Sequence, residues 1–297
     1  MTKRVAVITR TGKSLGVLEF SSLISTVGEL KSALAPKIGI PAHRMRLTTE
    51  AGVGLEGPET ALSKFPEFSK NPNVTLVGKD LGPQVSWRTV FLVEYLGPIL
   101  VVLGEIIFLG RANNLTNFQV TCIACYLGHF VKRELETVFV HKFSNDSMPI
   151  ANLFKNSFYY WGSAAAIGYY LSHPLYTAPS GLMRKFGLLI FLASEFLNFF
   201  THAALSKLRP AGTRVRRVPR GIFFDQITCP NYTFEVLAWI GFAMMTQVLA
   251  AWVFALATIF ILSNWALAKR RRYVKEFDGL EGRDKFPKRW AIFPGIL

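Results

Sequence analysis

The sequence predicts a multi-pass α-helical membrane protein with about six transmembrane helices, preceded by a small domain of strands and one helix. The 297 residues are 51% hydrophobic and 18% charged, and the mean hydropathy is +0.29. The charged residues are also clustered, which leaves several apolar stretches near the roughly 20 residues that a helix needs to cross a bilayer. These two observations exclude a single soluble basic domain, and the 25 Phe exclude a disordered chain.

The predicted spans follow the apolar windows between residue 87 and residue 268. The last window, 236–268, lacks Asp, Glu, Lys and Arg across its whole length, so we interpret it as two helices in a hairpin that begins near Cys229. The four earlier spans are predicted at 87–110, 118–140, 158–172 and 186–205.

The net charge of +15 is concentrated in three basic clusters at 207–220, 269–275 and 283–289. Positively charged loops normally stay in the cytosol, so these loops are expected there. Contact with lipid head groups is the other explanation of the clusters. Nucleic acid is not an expected partner, because the clusters flank apolar spans and lie on no nucleic-acid module.

The three cysteines, Cys122, Cys125 and Cys229, are too few for a disulfide framework and fit a reducing or membrane setting. Cys122 and Cys125 form a CxxC inside an apolar run, without the second pair that a zinc site requires. We therefore expect both to pack in the bundle, and no metal site is predicted.

The N-terminal 80 residues predict a small domain of a different kind. Two β-rich runs on either side of Gly12 predict a hairpin, and a capping sequence at 25–29 precedes a short amphipathic helix. Runs at 45–49 and 74–77 predict two more strands. This order resembles the ubiquitin-like β-grasp fold.

The chain is accordingly divided into a β-grasp domain, 1–80, and a transmembrane domain, 81–297. The first apolar run ends before Arg10 and is too short for the core of a signal peptide. We expect the N-terminal domain to lie in the cytosol.

Several predicted spans contain charged groups, each of which costs about 2.5 to 3.5 kcal/mol at mid-membrane. His129, Lys132, Arg133 and Glu136 are spaced at i, i+3, i+4 and i+7, so they share one helical face and should point into the bundle. Similar reasoning applies to further residues on other spans: Glu94, Glu105, Glu195, Asn198, His202 and Glu235. Ion pairs that only orient the helices are the structural alternative.

Neither GxGxxG nor GxxxxGK[ST] occurs in the chain, so a dinucleotide would have to bind within the helix bundle. Binding a phosphorylated dinucleotide takes cations for its phosphates, amide partners for its nicotinamide and a ring for stacking. The C-terminal half supplies all three kinds of group, in Arg209, Arg214, Arg216, Arg217, Arg220, Asn231, Glu235 and Tyr273.

The C-terminal half also contains four ordered runs: LRPAG at 208–212, RVPRG at 217–221, CPNYTFE at 229–235 and RYVKEF at 272–277. Together they resemble the C-terminal domain of the steroid 5α-reductase family. Three further stretches resemble its branch of very-long-chain trans-2-enoyl-CoA reductases: KDLG leading into SWR at 79–88, LETVFVHKFS at 135–144 and YYW at 159–161. The resemblance covers essentially the whole chain.

This resemblance implies an endoplasmic-reticulum reductase that uses NADPH and acts on a long-chain trans-2-enoyl-CoA beside other fatty acid elongation enzymes. Carried over by position, the implied cofactor contacts are Asn198, Arg209, Asn231, Glu235 and Tyr273, with Arg133 and Lys269 as further candidates.

Glu94 matches a carboxylate that the steroid-reducing relatives place beside the substrate carbonyl, together with a tyrosine of a His-Tyr pair. In this chain the pair is His129-Phe130, and a phenyl ring cannot donate a proton. Tyr232 is therefore the preferred acid. Reduction of an enoyl thioester places negative charge on its oxygen, which Tyr232 or a protonated Glu94 could stabilise, while His129 is a candidate for proton supply or for a purely structural role.

Three other functions stay open at this point. A reductase of a 3-oxo-4-ene steroid or a polyprenol-type lipid would share the cofactor half, although Phe130 argues against it. A membrane methyltransferase would use a similar bundle with another cofactor. A non-enzymatic scaffold would bind no dinucleotide.

Overall fold

The structure is a computed structural model and describes residues 3–20, 24–143, 147–208, 217–280 and 284–297. The chain forms two compact units. The N-terminal unit contains Met1–Val85 and Ser147–Ile150, and the helical unit contains Ser86–Asp146 and Ala151–Leu297. The predicted division at residue 80 stays a prediction.

The N-terminal unit is built on a four-stranded sheet with the order β2-β1-β4-β3. Strand β1 pairs antiparallel with β2 and parallel with β4, and β3 pairs antiparallel with β4. Alternate apolar residues of the strands meet Leu30 and Leu34 of the first helix in one core. The elements are β1 (Lys3–Ile8), β2 (Ser14–Phe20), α1 (Val27–Ile38), β3 (Met45–Thr49), α2 (Pro66–Lys70), β4 (Asn73–Asp80), and the short pair β5 (Gln84–Ser86) and β6 (Ser147–Pro149).

Helix α1 begins and ends at the residues that the capping rules require. The Thr26 hydroxyl accepts the Glu29 N–H, and the Glu29 carboxylate accepts the Thr26 N–H at 3.0 Å and the Ser25 N–H at 2.7 Å. These N–H donors hold the pKa of Glu29 below its usual value. Gly39 ends the helix at φ 71°, where a side chain would be strained.

Replacing Thr26 by Ala should destabilise α1 by about 1 kcal/mol, because the first turn loses its side-chain acceptor. Amide hydrogen exchange of the full-length protein should show faster exchange in Val27–Ile38 and unchanged exchange in the helical unit. Because folding lowers the pKa of Glu29, its ionised carboxylate stabilises the folded state. This stabilisation is present above the unfolded-state pKa and is lost as the pH falls through the folded-state pKa. Equal exchange in Thr26→Ala and the wild type would contradict the capping role.

The described residues of the helical unit form six helices of 17 to 28 residues. Three of the helices that the structure describes are long and apolar enough to cross a membrane: Trp87–Phe108, Gly181–Lys207 and Leu249–Glu276. The chain is thus a mostly helical membrane protein. The helices are α3 (Trp87–Phe108), α4 (Asn117–Phe139), α5 (Ala151–Leu171), α6 (Gly181–Lys207), α7 (Pro230–Thr246) and α8 (Leu249–Glu276).

Two helix boundaries can be compared with those that the hydropathy pattern predicts. The long apolar stretch does form a hairpin: α7 ends at Thr246, the next residue, Gln247, has φ 53°, and α8 starts at Leu249. The helix that contains the predicted third span, 158–172, begins seven residues before it, because α5 starts at Ala151. Polar residues in its first turns hid this start, and one of them, Asn156, bonds to a buried carboxylate.

Helices α6 and α7 pack very closely because glycines meet at their crossing. A Cβ atom on Gly187 would lie 2.4 Å from the backbone nitrogen of Met245, and one on Gly241 would lie 2.6 Å from that of Phe191. Small residues allow this kind of backbone approach between helices in membranes. The crossing brings the polar faces of α6 and α7 together.

Candidate functional site

Polar side chains of α4, α6 and α7 meet inside the apolar bundle. His129 Nδ1 lies 2.7 Å from Glu195 Oε1, and His129 Nε2 lies 3.5 Å from Glu235 Oε1. Lys132 Nζ lies 2.7 Å from Glu195 Oε2 and donates to Asn198 Oδ1 at 2.7 Å. We call these five residues the central cluster. The α4 residues face the bundle interior, as their spacing predicts.

Asn198 connects the central cluster to the first turns of α7. Its Nδ2 donates to the backbone oxygen of Asn231 at 2.9 Å and to Glu235 Oε2 at 3.2 Å. Trp239 Nε1 donates to the other oxygen of Glu235 at 3.1 Å. These bonds fix the α7 residues that the sequence assigned to a cofactor.

Asn231 keeps one unused acceptor. Its Oδ1 atom is buried and has no hydrogen-bond partner among the described residues, whereas its Nδ2 lies 3.5 Å from His202 Nε2. A buried acceptor without a donor costs about 1 to 3 kcal/mol. This oxygen is therefore suited to a ligand that brings an N–H donor.

Arg133 forms a second group one turn along α4. Its Nη1 donates to Glu136 Oε2 at 2.7 Å and its Nη2 donates to the Tyr95 hydroxyl at 2.9 Å. His202 Nδ1 lies 3.0 Å from the same Glu136 oxygen. The Arg133 guanidinium thus connects α4 to α3. It also lies against α6, because His202 of α6 contacts the same Glu136 carboxylate.

The donor atoms of Glu136, His141 and His202 lie within 4.8 Å of one another, a spacing that could hold a metal ion. Arg133 Nη1, however, is 2.7 Å from Glu136 Oε2 and 3.2 Å from His202 Nδ1, so a fixed positive charge already pairs with this carboxylate. Burial and the nearby Arg133 lower the pKa of His141 to about 3, so this ring is neutral. We interpret the group as an arginine-centred network.

Glu94 lies on α3, is only 2% exposed, and accepts a hydrogen bond from Asn156 Nδ2 at 2.9 Å. The next residue, Tyr95, places its ring 6.3 Å from that of Phe130. A buried phenol therefore lies beside the phenyl ring that replaces the expected tyrosine. Sequence reasoning missed both Asn156 and Tyr95, although an Asn in an apolar helix is itself a signal for a buried partner.

Tyr232, Lys269 and Tyr273 form a third group between α7 and α8. Lys269 Nζ lies 5.7 Å from the ring centre of Tyr232 and 5.6 Å from that of Tyr273, a cation–π arrangement. The Tyr232 hydroxyl makes no hydrogen bond within the part of the chain that the structure describes. This group lies next to the central cluster along α7, because Tyr232 directly follows Asn231, which Asn198 of the cluster contacts.

The predicted residues thus fall into connected groups rather than one constellation. Hydrogen bonds and an ion pair link Asn231 through Asn198 and Glu235 to His129, whereas no hydrogen bond or ion pair among the described residues joins Glu94 to Tyr232. Arg209 lies outside the described residues.

Polar side chains thus meet inside a helical unit in which three of the described helices are long and apolar enough to cross a membrane, so the site lies inside a membrane protein. The profile of the family described as 3-oxo-5-alpha-steroid 4-dehydrogenase matches residues 146–297. The chain belongs to this family, the steroid 5α-reductases, and it is an oxidoreductase that acts on a CH–CH group.

Relatives with curated names match nearly the whole chain. It is 41% identical over 298 residues to a very-long-chain enoyl-CoA reductase of Dictyostelium discoideum, with 97% of both chains covered. It is 38% identical over 305 residues to a probable very-long-chain enoyl-CoA reductase of Caenorhabditis elegans, which covers 97% of this chain and 96% of the relative. A putative enoyl-CoA reductase of Trypanosoma brucei brucei is 42% identical over 279 residues, covering 89% of this chain and 93% of the relative.

Proposed function

We propose that the protein reduces the C2–C3 double bond of a long-chain trans-2-enoyl-CoA with NADPH, as the last step of the very-long-chain fatty acid elongation cycle. The names of the relatives support the substrate class. The observation that carries the proposal is the central cluster, whose members are buried or half-buried, with the unpaired Asn231 oxygen beside it, because such a cluster is costly in an apolar bundle without a polar ligand.

The residues of the site fit NADPH. A nicotinamide carboxamide has N–H donors that match the buried Asn231 Oδ1 and the carboxylate of Glu235, both of which Asn198 holds in place. Lys269 offers a cation for a phosphate, and Tyr273 offers a ring. Arg133 and Arg209 remain proposed contacts on the strength of the family resemblance. NADPH supplies the hydride when it is bound.

The protein's own task is to stabilise the charge that develops on the thioester oxygen and to supply a proton to C2. We assign the oxygen to the Tyr232 hydroxyl, which is free of other hydrogen bonds to described residues. A positioned donor of this kind is strongest in a site without water. His129, held between Glu195 and Glu235, is suited to pass a proton along the central cluster.

Tyr95 is a second candidate for the donor. Its hydroxyl accepts a hydrogen bond from Arg133, keeps its own proton for donation, and lies on α3 next to Glu94. Asn156 orients the Glu94 carboxyl from α5. Tyr95 on α3 would then provide the phenol hydroxyl that is missing at Phe130 on α4.

We further propose that all six helices cross the endoplasmic-reticulum membrane and that the N-terminal unit lies in the cytosol. An even number of spans returns the end of α8 to the side where α3 begins, and the basic residues near 207–220 and 269–275 then lie at cytosolic helix ends. The sheet order β2-β1-β4-β3 with α1 after β2 supports a β-grasp fold for the N-terminal unit. Other elongation enzymes are proposed partners.

The test is NADPH oxidation by the purified full-length protein with trans-2-hexadecenoyl-CoA, with the product identified by mass spectrometry. We expect one saturated acyl-CoA per NADPH consumed. NADH in place of NADPH tests the cofactor, and a 3-oxo-4-ene steroid or a polyprenol-type lipid in place of the thioester tests the alternative reductases.

Each negative result points to a different function. NADPH binding without turnover of the thioester would reject enoyl-CoA as the substrate. Absence of NADPH binding by folded protein would reject the reductase and favour the scaffold.

A further inference from the structure

A large groove lies on the outer side of the helical unit between α5 and α8. Its volume is about 1090 Å³, at the upper end of what small-molecule sites occupy. Phe158 and Val253 border it and are 82% and 58% exposed, so the groove opens on the outer surface of the bundle. In a membrane this surface faces lipid.

Small side chains on both helices create the groove. Gly162, Ser163 and Ala166 line it from α5, and Ala250 and Ala257 line it from α8. A Cβ atom added to Gly162 would meet no other atom within 4 Å, which shows that the space beside this residue is open. The helices therefore leave room between them for an apolar ligand.

A wall of aromatic rings separates the groove from the polar residues. Tyr159 stacks on Phe254 with 5.3 Å between the ring centres, and Phe254 lies 4.6 Å from Trp239. Behind this wall, Trp239 lies 4.7 Å from the His129 ring. A ligand in the groove would be separated from His129 of the central cluster by two rings, Phe254 and then Trp239.

The two ends of the groove differ in charge. Lys155 lies at one end, and His173 and Gln247 lie at the other, while none of the described residues that line it is acidic. From Lys155 to its end at Leu171, α5 spans roughly 24 Å along its axis, which is most of the thickness of the bilayer core. Lys155 can extend its ammonium group to the membrane interface, where it would attract phosphates.

The Lys155 end is also the end nearest to Glu94, because the neighbouring Asn156 donates to this carboxylate at 2.9 Å. A thioester at this end and an alkyl tail along α5 would match the polarity of the groove throughout. We propose that the groove binds the acyl chain of the enoyl-CoA substrate, with the thioester toward Lys155 and the terminal methyl toward His173. This inference rests on the proposed function.

The test fills the groove at two depths in the full-length protein. Gly162 and Ala166 lie six and ten residues beyond Asn156, or about 9 and 15 Å along the helix axis. For Gly162→Phe we expect kcat/KM to fall about tenfold with trans-2-hexadecenoyl-CoA and less than about twofold with trans-2-hexenoyl-CoA. Ala166→Phe should affect only the longer substrate.

The matched control is Gly128→Phe. Gly128 is also helical and exposed, and a Cβ atom there would meet nothing within 4 Å. This variant should leave both substrates unchanged, which separates a filled groove from the general effect of a bulky residue on the membrane surface.

A measurement without turnover completes the test. A long-chain acyl-CoA with a terminal diazirine should label peptides of α5 and α8 in the wild type and lose this labelling in Ala166→Phe. If Gly162→Phe and the wild type had equal kinetics at both chain lengths, or if other helices were labelled, the groove would not be the acyl-chain site. It would then be a surface that bilayer lipid covers. If the wild type reduced no enoyl-CoA, the proposed function would be rejected instead. The labelling alone would then show whether the groove binds an acyl chain.

Discussion

Tyr232→Phe should lower kcat with trans-2-hexadecenoyl-CoA by about a hundredfold to a thousandfold, while NADPH affinity changes little. The substitution removes one hydroxyl and keeps the ring that faces Lys269 Nζ at 5.7 Å. Loss of a single donor to a developing oxyanion has effects of this size. Initial rates and NADPH titration by fluorescence would measure the two quantities separately.

Tyr95→Phe is the matched control for this experiment, because it removes the phenol that accepts from Arg133 at 2.9 Å and leaves α7 unchanged. If Tyr232 is the donor, Tyr95→Phe should retain most of its kcat. The reverse pattern, with Tyr232→Phe within about threefold of the wild type and Tyr95→Phe nearly inactive, would transfer the donor role to Tyr95.

Gly187→Leu should destabilise the helical unit by about 3 kcal/mol or more. An added Cβ would lie 2.4 Å from the Met245 backbone nitrogen and 2.7 Å from the Gly241 oxygen, so α6 and α7 would have to separate. Thermal unfolding in detergent should show a lower midpoint. Because the crossing holds Asn198 against Asn231, NADPH affinity should fall as well.

Gly128→Leu introduces the same side chain on α4, where an added Cβ meets nothing within 4 Å. We expect an unchanged or higher unfolding midpoint, because Leu favours a helix over Gly by nearly 1 kcal/mol. A Gly187→Leu protein that unfolds at the wild-type midpoint would show that the two helices do not approach as closely as described.

Much of the helical unit could be predicted from local patterns. The window without charges predicted the hairpin of α7 and α8, and the i, i+3, i+4, i+7 spacing predicted that His129 and Glu136 face inward, which both do. Such patterns succeed because an apolar solvent penalises every exposed charge. The same pattern places the third span at 158–172 and leaves out the first turns of α5, because Asn156 and its polar neighbours interrupt the apolar window although Asn156 has a partner inside the bundle.

The sequence by itself determined the family, the apolar helices and the residue types of the site, because ordered motifs, hydropathy and helical spacing are all local properties of the chain. Only the tertiary structure decided which of those residues meet. It joined His129 to Glu195 and Glu235, placed Tyr232 with Lys269 rather than with Glu94, and brought Tyr95 beside Phe130. These contacts depend on how closely the helices cross, which glycines and small side chains distant in sequence set jointly.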